Sequence, residues 1–280
     1  MIVSYIQSKD NTRLFYVIDH APEPKAAALV VHGFGDHCKR YDDFTEYLNQ
    51  QNISVLRYDY RGHGRSEGRR GHILSFDEYL EDLQVMLDLF NEEFSLEKKL
   101  LFAHSNGGLI CTHALACLPE LKTWTAAILS SPFYAIKVKV PKWKSFLGAR
   151  LSKFIPSLQL PTDLDPTHMS HDSKVIDNYA TDPLIGRVAS ARWLTETLQA
   201  HHQVATCLRS INIPILMQLA GNDLVADTEH AKRQFKELAS SEKSLAVYDG
   251  LYHEIWFEEE ELNRKVFADL SQFLHNHLEK

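Results

Sequence analysis

The feature that most constrains the fold is a regular alternation of strand-like and helix-like patterns along the 280-residue chain. Short apolar or β-branched runs, typical of buried strands, occupy residues 26–31, 53–58, 99–102, 125–129, 213–219 and 244–248. Amphipathic helical patterns lie between them and are clearest over residues 76–94 and 262–274. Alternation of this kind predicts an α/β fold: a mostly parallel sheet, joined by right-handed crossovers, with helices on both faces.

Two segments fall outside this alternation. Residues 3–7 and 14–18 are close enough in the chain to form an antiparallel hairpin at the sheet edge, which brings the expected number of strands to eight. Between about 133 and 208 no strand pattern appears, and prolines interrupt short helical patterns. We therefore expect a core domain of residues 1–132 and 209–280, with an inserted helical cap over residues 133–208.

Composition restricts the classes of partner. The net charge of −7 gives no electrostatic reason to expect nucleic-acid binding, and 44% hydrophobic residues provide material for a large core. The first residues lack the pattern of a secretory leader, and no apolar run approaches membrane-spanning length. We expect a cytoplasmic protein.

One part of the expected cap has the opposite charge. Residues 135–155 contain basic residues and no acidic ones, with Lys137, Lys139, Lys142 and Lys144 interleaved among apolar and aromatic side chains. Such a segment can be a lid helix whose apolar face covers an active site while its lysines are solvated. It can also contact a membrane surface peripherally, and the two interpretations are compatible.

A candidate nucleophile follows the third of the buried runs. Residues 100–108 read Leu-Leu-Phe-Ala-His-Ser-Asn-Gly-Gly, so that an apolar strand leads directly into Ser105 and then into glycines. A serine on a sharp strand-to-helix turn needs small residues two positions before and after it, and Ala103 and Gly107 fill those positions. The segment predicts a nucleophile elbow centred on Ser105.

A serine nucleophile needs a base and an acid that orients the base, which in this fold follow in the chain order Ser, Asp, His. Asp223 comes directly after the strand pattern at 213–219, and His253 follows the pattern at 244–248. Because ligands bind at the carboxyl ends of parallel strands, Asp223 is the better candidate acid, although spacing alone leaves Asp227 open. His253 is the candidate base.

An oxyanion hole of this type uses two backbone N–H groups. One belongs to the residue after the nucleophile, Asn106, and the other is expected from Phe34 in the glycine-rich loop after the strand at 26–31. His104 should point away from the site and have a packing or hydrogen-bonding role. No set of residues with metal-ligand spacing and no dinucleotide-binding glycine pattern occurs, so neither a metal nor a cofactor is expected.

With these residues in place, the chain resembles the α/β-hydrolase superfamily from about residue 5 to 275, and within it the monoacylglycerol lipase and lysophospholipase group of serine hydrolases. The likeness is carried by His-Gly-Phe-Gly-Asp-His at 32–37 followed by Arg-Tyr at 40–41, and by Asp-Tyr-Arg-Gly-His-Gly-Arg-Ser-Glu-Gly at 59–68. A third stretch is Asp-Pro-Leu at 182–184, with arginine at 192 and glutamate at 196. The chain departs from the family pattern at Ala103, where the family usually has glycine, and at Asn106, where it usually has methionine.

The resemblance implies a triad of Ser105, Asp223 and His253, an oxyanion hole at Phe34 and Asn106, and a lid that admits single-chain lipids. The expected activity is hydrolysis of carboxylic esters of such lipids through an acyl-enzyme. A short-chain carboxylesterase or a serine aminopeptidase on the same fold is the alternative, and a non-catalytic binding protein is a third. An unpaired pair of carboxylates under the lid would favour the aminopeptidase, because its substrate carries an ammonium group.

Overall fold

A central sheet of eight strands organises the protein, whose computed structural model describes residues 1–137, 150, 152–162 and 164–279. Two further strands form a separate small ladder. The ten strands of these ranges are β1 (Ile2–Gln7), β2 (Arg13–Asp19), β3 (Ala26–Val31), β4 (Ile53–Tyr58), β5 (Lys99–His104), β6 (Ala126–Ser130), β7 (Gln159–Pro161), β8 (Val188–Ser190), β9 (Ile215–Ala220) and β10 (Lys243–Tyr248).

The strands of the main sheet lie in the order β1-β2-β4-β3-β5-β6-β9-β10. β2 pairs antiparallel with both β1 and β4, and all the remaining pairs are parallel. The prediction of a mostly parallel, eight-stranded sheet with an antiparallel hairpin at one edge is confirmed. Parallel strands end at a common edge, so the loops after β3, β5, β9 and β10 come together there.

Helices cover both faces of the sheet. In the described ranges the α-helices are α1 (Asp42–Gln50), α2 (Asp77–Glu93), α3 (Asn106–Cys117), α4 (Ser173–Thr181), α5 (Ala191–Leu208), α6 (Thr228–Phe235) and α7 (Glu260–Leu278). Because successive side chains of a strand point to opposite faces, β3 contributes to two cores. Leu29 and Val31 pack in the core that contains α2, α3 and α5, whereas Ala28 and Val30 pack in the core that contains α1 and α7.

The segment between β6 and β9 includes α4 and α5, and it also contains strands that the sequence did not predict. β7 pairs antiparallel with β8, with Leu160 opposite Ala189. The expectation of no strand in this segment was therefore wrong. The strands could not be recognised in the sequence because each has only three residues and Gln-Leu-Pro has no alternating apolar pattern. The second half of α5 packs on α3 through Ala200 and Val204. Among the described helices, none has the length and apolar character needed to cross a membrane.

Candidate active site

Ser105 lies at the turn between β5 and α3, as the elbow pattern predicts. Its backbone has φ 52° and ψ −117°, a conformation that non-glycine residues rarely adopt and that here turns the chain from strand into helix. Backbone hydrogen bonds hold it: the Ser105 amide donates to the carbonyl of Ser130 at 3.0 Å, and its carbonyl accepts from Leu109 at 3.1 Å. The turn leaves the Ser105 side chain at the carboxyl edge of the sheet.

The elbow pattern requires small residues at positions 103 and 107, and the structure shows that only Gly107 is needed for a close backbone contact. A Cβ atom at Gly107 would lie 2.4 Å from the carbonyl oxygen of Val31 and 2.5 Å from that of His32, closer than real side chains come. Gly107 therefore allows α3 to begin directly against the end of β3. Ala103 is fully buried in the core and needs no glycine-like backbone.

The structure brings the three predicted side chains into a hydrogen-bonded row. His253 Nδ1 lies 2.7 Å from Asp223 Oδ2, and His253 Nε2 lies 2.8 Å from Ser105 Oγ. A carboxylate can only accept, so Nδ1 carries the proton and donates to Asp223, while the neutral Nε2 accepts from the Ser105 hydroxyl. All three side chains are buried, with 2 to 6% of each residue exposed.

The two candidate acids have different surroundings. The second oxygen of Asp223 accepts hydrogen bonds from the backbone amides of Val225 and Ala226, each at 2.8 Å, which fix the carboxylate facing His253. Asp227 instead caps α6, where its side chain accepts from the amide of His230 at 2.9 Å. The alternative at Asp227 therefore has no contact with the base.

Burial lowers the pKa of both histidines of the site, but neighbouring charges shift the pKa values of the two in opposite directions. Burial alone would lower the pKa of His253, but the Asp223 carboxylate and its hydrogen bond, together with the charge of Glu254, raise that pKa above 6.5. His104 has its ring 4.9 Å from that of His253, and its Nδ1 is 3.2 Å from Ser130 Oγ. Burial and then the charge of His253 hold the pKa of His104 well below its usual value. His104 thus stays neutral and hydrogen-bonded, but it lines the cavity with Ser105 and His253, so the expectation that it points away from the site was wrong.

Two backbone amides are available beside Ser105. Within the described part of the chain, neither the Phe34 amide nor the Asn106 amide donates a hydrogen bond. Phe34 follows β3, and its loop approaches closely: a Cβ at Gly33 would lie 3.2 Å from Ser105 Cβ. The loop is held from the other side as well, because the Gly186 amide donates to the carbonyl of Gly35 at 2.7 Å.

A cavity of about 530 Å³ opens above Ser105 and His253. Its wall comes both from loops at the sheet edge and from the segment between β6 and β9, and most of its surface is apolar. The rings of Phe34 and Trp193 contact each other within it, with their centres 3.9 Å apart and their planes tilted by 38°. Its other apolar side chains include Phe133, Ile136, Leu160, Leu164, Met169, Tyr179, Leu194, Leu224 and Val225.

A buried ion cluster of Arg40, Asp36 and Glu254 lies beside the cavity and was not predicted from the sequence. Arg40 binds both carboxylate oxygens of Glu254, at 2.7 and 2.6 Å, and also Asp36 Oδ1 at 3.1 Å. Asp36 and Glu254 both line the cavity, and Glu254 directly follows His253. Asp36 and Arg40 are four residues apart, which was the only local signal, whereas Glu254 comes from another loop. The guanidinium of Arg40 lies 5.1 Å from the ring centre of Tyr179.

The predicted basic segment is only partly described. Lys139, Lys142 and Lys144 lie outside the described residues, and Lys137 is exposed, with its backbone amide bonded to the carbonyl of Val225 at 3.0 Å. Among the side chains that the structure does describe, no group of three histidines, cysteines or carboxylates comes together as a metal site.

The mostly parallel sheet and the loops that meet at its edge define an α/β hydrolase. Residues 22–260 match the family model of the serine aminopeptidase S33 hydrolases, and the chain belongs to this family. It is 27% identical to the monoglyceride lipase of Rattus norvegicus over 91% of this chain and 84% of that protein. It is 30% identical to phospholipase YtpA of Bacillus subtilis over 86% of this chain and 92% of that protein.

A solved structure of a monoacylglycerol lipase is also similar to this chain. The monoacylglycerol lipase of Paleococcus ferrophilus superposes with a TM-score of 0.84 at 28% identity, covering 94% of this chain and 99% of that one. The likeness to monoacylglycerol lipases inferred from the sequence is confirmed, and the chain is an ester-hydrolysing enzyme of the S33 family.

Proposed function

We propose that this protein is a serine hydrolase that cleaves carboxylic esters of single-chain lipids through an acyl-enzyme. The observation that carries the proposal is the row of two short hydrogen bonds from Ser105 through His253 to Asp223, at 2.8 and 2.7 Å, at the floor of an apolar cavity. A serine hydroxyl is a weak nucleophile at neutral pH, and an oriented imidazole is the group that activates it.

In the proposed reaction Ser105 Oγ attacks the ester carbonyl carbon while its proton passes to His253 Nε2. Asp223 holds the imidazole in the tautomer that can accept that proton, and it stabilises the imidazolium that forms. The backbone N–H groups of Phe34 and Asn106 donate to the oxyanion of the tetrahedral intermediate. The imidazolium returns the proton to the leaving alcohol. Water, deprotonated by His253, then releases the acyl group as a carboxylic acid.

The proposed substrate has one acyl chain, such as a monoacylglycerol or a lysophospholipid. The cavity supports this because it is mostly apolar and its volume lies in the range of small-molecule sites. Relatives named monoglyceride lipase and phospholipase support the same class. We also propose that residues 133–208 act as the cap of the core domain, since Leu160, Tyr179 and Trp193 from that segment line the cavity above Ser105.

Carboxylates in the cavity are the feature that would favour an aminopeptidase. Asp36 and Glu254 both line the cavity, but Arg40 binds both of them, so neither carboxylate is left unpaired to bind a substrate ammonium group. In the wall of the cavity, as far as the structure describes it, there is no lysine or arginine. A neutral head group, as in a monoacylglycerol, fits that wall better than a phosphate.

The test is a substrate panel on the purified protein with Ser105→Ala as the control. It contains p-nitrophenyl esters from acetate to palmitate, monoacylglycerols, lysophospholipids and aminoacyl p-nitroanilides. We expect kcat/KM to rise with acyl length and to be highest for monoacylglycerols, with no turnover by Ser105→Ala. A maximum at acetate or butyrate with monoacylglycerols uncleaved would mean a short-chain carboxylesterase, and preferred cleavage of the anilides would mean an aminopeptidase.

We further propose that the cap contacts a membrane surface peripherally to collect such lipids. Phe154 is 82% exposed, Ile155 52% and Leu160 51%, so the cap has a patch of exposed apolar side chains, of which Leu160 also lines the cavity. Replacing Phe154 and Ile155 by serine should reduce sedimentation with anionic vesicles, and replacing Lys137, Lys139, Lys142 and Lys144 by glutamine should do the same. Unchanged binding by both variants would show that the patch is only a solvated part of the cap.

A further inference from the structure

The carbonyl oxygen of Gly33 has three hydrogen-bond contacts. The Tyr60 hydroxyl donates to it at 2.7 Å, and His32 Nδ1 lies at 2.7 Å as well. The Asp36 amide makes a longer contact at 3.4 Å. Tyr60 and His32 are buried and stack on each other at a ring separation of 4.2 Å, so both donors are held in place.

This carbonyl belongs to the same peptide unit as the Phe34 amide. A peptide unit is planar and, here, trans, so its C=O and N–H bonds point in opposite directions. Fixing the carbonyl on Tyr60 and His32 therefore fixes the direction in which the Phe34 N–H points. Hydrogen bonds to a carbonyl also polarise the peptide unit, which makes its N–H a stronger donor.

Asn106 extends the chain of hydrogen bonds. Its side chain is fully buried, and its Nδ2 lies 3.3 Å from the Tyr60 hydroxyl oxygen. The orientation of the amide follows from donor counting: the single proton of Tyr60 is used on the Gly33 carbonyl, so the hydroxyl oxygen can only accept from Asn106. Asn106 Oδ1 is buried and has no hydrogen-bond partner within the described residues, so the side chain is kept at this position with one polar atom unsatisfied.

We propose that Tyr60 and the side chain of Asn106 are positioning residues for the oxyanion hole. The relay runs from Asn106 Nδ2 through the Tyr60 hydroxyl to the Gly33 carbonyl, and across the peptide unit to the Phe34 N–H. Because the backbone of Asn106 supplies the other oxyanion donor, one residue couples both halves of the hole. The inference rests on the proposed function, since it assigns the two N–H groups to the oxyanion.

The chain offers a matched control for the loss of a buried hydroxyl. Tyr58 lies two residues before Tyr60, is equally buried, and its hydroxyl has no hydrogen-bond partner within the described ranges. Tyr60→Phe and Tyr58→Phe make the same chemical change, and phenylalanine preserves the ring packing in both. Asn106→Leu removes the side-chain donor while it leaves the backbone N–H in place.

The experiment measures kcat, KM and melting temperature for the three single variants and for Tyr60→Phe/Asn106→Leu, with a p-nitrophenyl ester of the acyl length preferred in the panel. It also measures the inhibition constant of a trifluoromethyl ketone, whose adduct with serine carries an oxyanion. We expect Tyr60→Phe to lower kcat about tenfold with KM unchanged, less than the loss of a whole donor, and to weaken the ketone by a similar factor. Tyr58→Phe should stay within about twofold of the parent in both readings.

The double variant decides between a relay and two separate effects. In a relay, Asn106→Leu should have little further effect once the Tyr60 hydroxyl is gone, whereas independent effects would multiply. The inference is overturned if folded Tyr60→Phe keeps the parent kcat, if it loses no more than Tyr58→Phe, or if the two losses multiply. Loss of all activity in Ser105→Ala separates these outcomes from a failure of the proposed function. Activity retained by Ser105→Ala would overturn both.

Discussion

Replacing Arg40 by methionine tests how much the buried ion cluster contributes to the stability of the fold. The guanidinium binds Glu254 and Asp36, and the side chains of Arg40, Glu254 and Asp36 are only 9, 3 and 3% exposed. Burial would raise the pKa of Asp36, but Arg40, together with His32 and His37, lowers it from 3.8 to about 2. That lowering corresponds to about 2 kcal/mol. Methionine retains much of the side-chain volume and removes the charge.

The variant leaves two carboxylates buried without their cation. Breaking a buried ion pair by removing one partner costs about 3–5 kcal/mol, which for a protein of this size lowers the melting temperature by about 10 °C. Arg209→Met is the matched control, since Arg209 and Glu237 form an exposed pair with side chains 62 and 38% accessible. Exposed pairs contribute about 0–1 kcal/mol, so this control should melt within about 2 °C of the parent.

The loss of stability in Arg40→Met should be smaller at low pH than at high pH. In the parent, the lowered pKa of Asp36 means that its stabilisation is present above pH 3.8 and is lost as the pH falls towards 2. Without Arg40, burial dominates and raises the pKa of the carboxyl, so the variant gains stability as it takes up protons. Melting curves by circular dichroism should therefore show a smaller gap between parent and variant at pH 4.5 than at pH 8. A gap no larger than that of Arg209→Met, or one that widens in acid, would refute this reasoning.

Two other predictions follow from the site itself. The base must be neutral to act. Burial lowers the pKa of His253, but the carboxylate of Asp223 outweighs burial and raises it, so activity should rise with pH and reach half of its maximum above pH 6.5. Stopped assays from pH 5 to 9 would contradict this with a midpoint at or below 6.5. Gly107→Ala would place a methyl group 2.4 Å from the Val31 carbonyl oxygen, so it should melt well below the parent. Ala103→Gly, in β5 on the other side of the turn, should lose only about 1 kcal/mol in urea unfolding, and equal losses would disprove the steric account of the elbow.

The sheet and the row of polar side chains could be predicted because each depends on local signals in chain order. Ser105, Asp223 and His253 each follow a strand whose apolar run is visible in the sequence, and parallel strands bring their ends together. Their catalytic roles remain a prediction. Asp227 remained open from spacing alone, and it is separated from Asp223 by the observed hydrogen bond of Asp223 to His253 and by the helix cap at Asp227.

Contacts between distant loops could not be predicted. Arg40 meets Glu254 across more than two hundred residues, and nothing near Arg40 in the chain indicates that partner. Asn106 was noticed as a departure from the family pattern, but its contact with Tyr60 depends on how β4 and α3 lie against each other. The pairing of β7 with β8 was not predicted for a different reason: strands of three residues are too short to show the alternating apolar pattern of a strand.

The central claim is that Ser105 is the nucleophile, and covalent labelling tests it most directly. The folded protein is incubated with a fluorophosphonate probe, digested, and analysed by mass spectrometry, with Ser105→Ala and His253→Ala treated in parallel. We predict a single adduct on Ser105, strongly slowed labelling in His253→Ala, and none in Ser105→Ala. An unlabelled Ser105 in folded, active protein, or an adduct at another residue that persists in Ser105→Ala, would contradict the account.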